Sequence, residues 1–425
     1  MLARRSISHS AARKKTPRPL KSPSLQLQRS EEPSRPPLTP VHLRRRIEGK
    51  IISLLLSTLT EEFPEKTVRD TVRYLLKASA TRGFLHFART TGKRGRSDRQ
   101  MRRVLATIDS GKLQRLFTYA FRRQVRPCLP KGKVILATDS HLVPYWGDSH
   151  RTQHILASQA KQGTNSFHGY STLYLAGFAR RLTISFRQVR GRRHMVRMLH
   201  LHLRDAQQLG LKIEALLLDR EYYSFEVLDF LLSRGIPFLM PVQAGAQMLA
   251  RWRKEHGRKS FHTTHTLKGG HGRTLTVQIH VVKRYKKGRR GEHGIEVLPY
   301  VISGLHRLTP EQTRKLYRTR FGIEGSYRLA GAARARTSSR NATLRMFYLA
   351  VALFLENEWV TLKLIHLSEK SPGRRGFVVR DEKLRFKHLL ALLLWGLGRV
   401  LGVVDGVGLE KPPPGWVNLV LEVER

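Results

Sequence analysis

Hydrophobic positions along the chain change their spacing several times, and each change marks a part. Residues 1–46 are rich in Arg, Lys, Ser and Pro with little apolar period. Such a composition buries too little surface to order itself, so a disordered basic arm is expected. From Ile47 the apolar residues fall three and four apart, in IISLLLSTL, TVRYLL, MRRVLATI and LQRLFTYAF, which predicts a small helical domain over 47–130. Helix-turn-helix reading of DNA and plain packing are both open for it. At Lys131 the texture becomes that of strands. KGKVILATDSH is an apolar, β-branched run with Asp139 at its carboxyl end, STLYLAGFARRLTISF reads as a hairpin, and KIEALLLDREYY is a second apolar strand ending in Asp219. A helix from Arg192 to Leu209 separates them, and EVLDFLLSRG (helix) and IPFLMPV (strand) complete 131–243. Strand–helix alternation implies a sheet with parallel members covered by helices, and in such sheets chemistry collects beyond the carboxyl ends of the strands.

Between 244 and 303 the helical period disappears. FHTTHTL, RTLTVQIHVVKRY and GIEVLPYVIS, separated by glycine-rich basic turns, predict two or three inserted antiparallel strands. Helix resumes near Thr309, with Pro310 in its first turn, and an apolar helix, LRMFYLAVALFLENEW, closes 304–369. A basic C-terminal segment, 370–425, carries one apolar helix. The fold class expected is therefore α/β: a mixed sheet flanked by helices, with a β-rich insertion and a helical N-terminal domain.

Charge narrows the partners. The chain of 425 residues has 79 Lys and Arg against 31 Asp and Glu, a formal net charge of +48. Basic side chains displace counterions condensed on phosphates, so nucleic acid is the leading partner, although a ribosomal or membrane surface attracts the same charge. The single Cys128 allows no intrachain disulfide and no cysteine-rich zinc site, which fits a reducing compartment. The most apolar run, Leu389 to Gly398, is about half of what crosses a bilayer, and the N-terminus lacks the apolar stretch of a secretory signal. A cytoplasmic, nucleoid-associated protein without a membrane partner is expected.

Two aspartates at neighbouring strand ends repel each other unless a divalent cation lies between them. On the helix after the insertion, Tyr317, Arg320, Glu324 and Arg328 stand at i, i+3, i+7 and i+11, one stripe of an ideal helix that offers an acid flanked by cations. The strand-ending Asp of ATDSH, the strand-ending Asp of LLLDREYYS, a β-rich insertion and then Tyr-x-x-Arg-x-x-x-Glu on a helix together resemble the DDE transposases of the insertion-sequence-four group, from Lys131 to Trp359. The resemblance implies an RNase H-like fold and cut-and-paste transposition: metal-dependent cleavage at transposon ends and strand transfer into target DNA. It further implies two magnesium or manganese ions on Asp139, Asp219 and Glu324, DNA contacts from Tyr317 and Arg320, and double-stranded DNA held by a homodimer in the active complex.

This sequence departs from the family pattern at Gly331, where a lysine is usual, and Arg328 is the cation that could replace it. Glu221 stands where a small residue is frequent, as a supporting group or an alternative ligand. Asp148 is a rival first acid in a loop, and His141, His262 and His265 read as chance neighbours among 19 histidines. Trp252, set among cations in ARWRKEH, is either a core residue or a platform for an unpaired base, and Tyr222 and Tyr223 read as packing. The rival functions are a nuclease of this fold that cleaves without joining and an inactivated or domesticated DNA-binding protein.

Overall fold

The computed structural model describes residues 38–402 apart from 93–94, 177–180, 192–193, 288–292, 371–376 and 380. Most of the expected arm, and the last residues of the expected C-terminal segment, lie outside the described residues. Helix α1 (Pro40–Leu59) begins inside the segment expected to be disordered. The Thr39 side chain accepts from the His42 N–H at 3.2 Å, Pro40 occupies the first helical position, and Leu43 and Ile47 are fully buried. Helices α2 (Glu65–Ala80), α3 (Leu85–Thr90), α4 (Asp98–Ala106) and α5 (Ser110–Val125) come next, the last capped by Asp109.

The sheet begins with β1 (Lys133–Pro144), β2 (Ile155–Lys161), β3 (Thr164–Ala176) and β4 (Leu182–Gln188). Helix α6 (Met195–Gln207) leads to β5 (Lys212–Leu217), and α7 (Phe225–Ser233) leads to β6 (Phe238–Pro241). Strands β1, β5 and β6 are mutually parallel, β3 runs antiparallel to β1, and the order is β2-β3-β1-β5-β6 with β4 also on β3. Helices cover both faces, and the architecture is RNase H-like. Segment 244–303 departs from the expectation in opening with a helix, α8 (Ala246–Lys254); three strands follow, β7 (Phe261–Lys268), β8 (Thr274–Lys287) and β9 (His293–Ser303), paired antiparallel in sequence order. Because β9 pairs antiparallel with β6, Phe238 opposite Ser303, the sheet continues β6-β9-β8-β7. Helix α9 (Pro310–Arg318), a 3-10 turn at Thr319–Phe321 and α10 (Gly322–Ala333) then cross one face.

Alternation along β1 sorts the two faces. Val134 and Leu136 join a core with Leu199 of α6 and Leu228 of α7, whereas Ala137 joins the opposite core with Leu316 of α9 and Tyr327 of α10. In a third core, apolar residues of α1 to α5 pack in one cluster with α11 (Ala342–His366) and α12 (Phe386–Leu401). Val360 and Leu364, also on α11, belong to the core under the sheet. Glu358 of α11 accepts from Lys50 Nζ at 2.6 Å, from Arg46 and from Gln124 Nε2 at 3.1 Å, which pins α1 and α5 to it. At Gly396 of α12 a Cβ would lie 2.3 Å from the Pro40 carbonyl oxygen, so α1 and α12 cross where there is no side chain.

Glu356, also on α11, is completely enclosed; Ser326 Oγ donates to it, and the same hydroxyl lies 3.1 Å from Tyr174 Oη. Burial pushes its carboxyl up to about 8, against the smaller opposing effects of Ser326 and Arg181. A carboxyl raised in the folded state binds its proton there more tightly than in the unfolded chain, so its stabilising contribution is full below the ordinary range and is lost as pH rises through about 8. Relative to the wild type, Glu356→Gln should therefore gain stability on the order of a few kcal/mol between pH about 5 and about 8.5. Chemical denaturation at both pH values checks this, and an equal difference at the two would show that Glu356 does not titrate in that window.

Candidate active site

Strand period decides which acids meet. Ala137 and Leu217 are the last residues paired between β1 and β5. Asp139 and Asp219 each lie two positions further along, and two positions restore the same side of a sheet. Both therefore emerge on the face crossed by α9 and α10. Strand β1 does not stop at Asp139 as expected; it runs on to Pro144, with Asp139 opposite Thr172 of β3. Asp219 precedes a 3-10 turn, Arg220–Tyr222, and accepts from the Arg220 N–H at 2.7 Å.

Arg320 joins the two acids. Its Nη1 lies 3.2 Å from Asp139 Oδ2, its Nη2 donates to Asp219 Oδ1 at 3.0 Å, and its Nε donates to Tyr317 Oη at 3.0 Å. One planar guanidinium can do this because its donors diverge in a rigid fork. Arg320 and Asp139 are buried, at 7% and 8% exposure, while the Asp219 side chain keeps 30% of its surface, so the site opens on the Asp219 side. Burial pushes the Asp139 carboxyl up to about 7. Arg320 opposes that rise, Asp219 adds to it, the Ser140 N–H opposes it and Glu221 adds to it. A positive charge is what this arrangement of acids demands, and Arg320 supplies one.

Neighbouring side chains hold the geometry. Tyr327 Oη donates to the Asp139 carbonyl at 3.2 Å and sits 2.6 Å from Thr172 Oγ1. Tyr222 Oη, on the turn just after Asp219, lies 3.2 Å from Thr138 Oγ1 and 3.1 Å from Ser171 Oγ, which fastens that turn to β1 and β3. Tyr222 was visible in the sequence only as a packing residue, and Tyr327 only through its four-residue spacing from Ile323 on the apolar side of α10.

The expected stripe does not persist. The 3-10 turn winds its three residues at about 120° rather than about 100°, which rotates the residues after it by about 60°. Tyr317 and Arg320 face the aspartates, whereas Glu324 and Arg328 are exposed on α10. Among the described residues no group of three His, Cys, Asp or Glu side chains is placed to hold a metal ion. Two of the three expected ligands are thus assembled, and their oxygens suit a hard divalent cation. Glu324 stands one helical turn, about 6 Å of rise, beyond the arginine that bridges them.

The family described as Transposase DDE domain matches residues 130–355, more than half of the chain. The chain belongs to this transposase family. Its fold is also similar to that of a piggyBac transposase seen by cryo-electron microscopy in a synaptic complex with hairpin DNA. That likeness has a TM-score of 0.50 at 10% sequence identity and covers 91% of this chain and 84% of that one. No curated protein matches the sequence. No helix among the described residues is long and apolar enough to cross a membrane.

Other residues singled out in the transposase sequence fall elsewhere. Trp252 is a correction: at 4% exposure on α8 it packs in the core under the sheet, so its ring offers no face to an unpaired base. His141 stacks on Tyr327 with ring centres 4.2 Å apart, and burial, then Arg334, drive its pKa down to about 3, which keeps it neutral. Asp148 lies 3.3 Å from Arg151 and accepts from the His150 N–H in the loop after β1. The His262 and His280 rings meet at 4.2 Å, and His280 Nδ1 lies 2.8 Å from Thr313 Oγ1. His265 faces Val277 in the ladder between β7 and β8.

Removing Arg320 leaves two carboxylates facing each other in a partly buried site. Arg320→Ala should cost roughly 3 kcal/mol of stability in denaturant melts. A loss under about 0.5 kcal/mol would show that the aspartates do not depend on its charge.

Proposed function

We propose that the chain is a cut-and-paste DNA transposase of the insertion-sequence-four type. In this reading it binds double-stranded transposon ends, cleaves them and joins the freed 3′ end to target DNA, working as a homodimer on the nucleoid. The observation that carries the reading is the pairing of Asp139 and Asp219 on one face, each two residues beyond the last parallel pair, around a single cationic group. A DDE family match over the same residues supports it.

Asp139 and Asp219 would hold two magnesium or manganese ions, with Glu324 as the third ligand once the first turn of α10 closes on the pair. Bound there, such ions supply activation of the attacking oxygen and stabilisation of the leaving oxygen of a phosphodiester. The protein's own part is electrostatic and geometric. Tyr317, buried and bonded to Nε, fixes the guanidinium of Arg320, so these two side chains order the acids and meet DNA only at the scissile phosphate. Arg328, exposed on α10, would contact a backbone phosphate. Tyr222 and Tyr327 hold the backbones of the two acids in register.

Magnesium-dependent cleavage of DNA carrying the inverted repeats that flank the gene is the decisive assay. Asp139→Asn should lower cleavage at least about 1,000-fold while DNA affinity stays equal or rises slightly. Cleavage at the wild-type rate in that variant would remove Asp139 from the mechanism. Precleaved ends separate the nuclease: joined product is expected from a transposase, and cleavage without joining would overturn that assignment. Glu324→Gln tests the third ligand, with a comparable loss expected and unchanged cleavage excluding it.

A further inference from the structure

A polar series crosses the otherwise apolar core under the sheet, on the face away from the aspartates. Tyr222, in the 3-10 turn that follows Asp219, packs there with Leu199 of α6. Its Oη lies 3.1 Å from Ser171 Oγ of β3, and that oxygen lies 3.0 Å from His202 Nε2 of α6. On the other side of the ring, Nδ1 lies 2.8 Å from Ser185 Oγ of β4, and Ser185 donates to Asp205 Oδ2 at 2.6 Å. Arg187 donates to the same carboxylate, and to Thr118 Oγ1 of α5 at 2.7 Å. Ser171, Ser185, His202, Asp205 and Tyr222 are all buried.

The carboxylate at one end gives the series a direction. Paired with a guanidinium, Asp205 only accepts, so the single Ser185 hydroxyl hydrogen goes to it and Ser185 Oγ must accept from His202. That places the ring hydrogen on Nδ1. Nε2 is left bare and accepts from Ser171, whose one hydrogen is then committed, so Ser171 accepts from the Tyr222 hydroxyl. Burial, then the charge of Arg187, hold the His202 pKa well below the ordinary histidine range, which keeps the ring neutral with one hydrogen to give. Apolar side chains would fill this space without the cost of burying polar groups, so packing alone does not account for the series. What it adds is one orientation for the Tyr222 hydroxyl, which also lies 3.2 Å from Thr138 Oγ1. Thr138 immediately precedes Asp139, and Tyr222 belongs to the turn that Asp219 opens, so this hydroxyl touches the backbones of both acids. We propose that His202 is a positioning residue of the active site: through Ser171 it fixes the direction of the Tyr222 hydroxyl, and so holds the turn that carries Asp219 against the strand that carries Asp139.

The use of the site rests on the transposase reading; the holding of the turn does not, and it is measured separately. Tyr222 N–H donates to the Asp219 carbonyl at 3.1 Å and Tyr223 N–H to the Arg220 carbonyl at 3.0 Å, so amide hydrogen exchange over 219–223 reads how firmly the turn is held. In the full chain, His202→Leu and Ser171→Ala should each speed that exchange about tenfold. His202→Gln, whose amide presents an acceptor and a donor at about the spacing of the two ring nitrogens, should bring it back to within about threefold of the wild type. Exchange that rises around α6 and β4 but not over 219–223, or that is as fast with Gln as with Leu, would overturn the proposal; Ser171→Ala decides the matter if His202→Leu does not fold. Titration with Mn2+ in the absence of DNA is the second readout, its half-saturating concentration expected to rise roughly tenfold in His202→Leu and Ser171→Ala. A wild type that binds no Mn2+ would sink the metal reading of the aspartates and leave the exchange result standing, whereas equal Mn2+ binding by the wild type and all three variants would sink the positioning role.

Discussion

Like charges do not stay together in a protein interior without a counter-charge, and the site is organised around that constraint. Asp139 and Asp219 are carried to the same place by backbone geometry that takes no account of their repulsion. The guanidinium of Arg320 answers it with two donors aimed at two acids, and a third donor fixed by Tyr317. Helices α9 and α10 are in turn held where the arginine can reach, through Tyr327 on the Asp139 carbonyl and Ser326 on Glu356. Polar contacts thus link the sheet, α10 and α11, with apolar packing filling between them.

The two aspartates were legible because each follows an apolar run of strand length, and strand period is a local property. Parallel pairing is then a consequence of the intervening helix. Arg320 was legible as a residue of the site but not in its observed task, since an ion pair to two strands is a long-range fact. Glu324 shows a different limit. A stripe counted at a constant angle assumes an unbroken α-helix, and a 3-10 turn at Thr319–Phe321 carries no strong local signature. Trp252 stayed open between core residue and base platform because its neighbours in the chain are cations, and burial depends on how α8 lies against the sheet, which those neighbours do not encode.

Segment 244–303 makes the same point at the level of architecture. Its alternating residues announced antiparallel strands, and these exist. Which edge they would join was not contained in the alternation. Pairing of β9 with β6 converts an insertion into a continuation of the catalytic sheet, so forces on β7 and β8 reach β5 and its aspartate through a continuous hydrogen-bonded ladder.

One architectural choice bears on the birth of the molecule. The apolar faces of α1 to α5 find their partners on α11 and α12, some 220 to 360 residues later by sequence number. A nascent chain emerging from the ribosome can therefore complete the burial of its early helices, which pack on one another as well, only after the whole main sheet has been made. Assembly is closed by the last helices, and a basic, nucleic-acid-seeking surface does not become a finished shape before the chemistry beside it does.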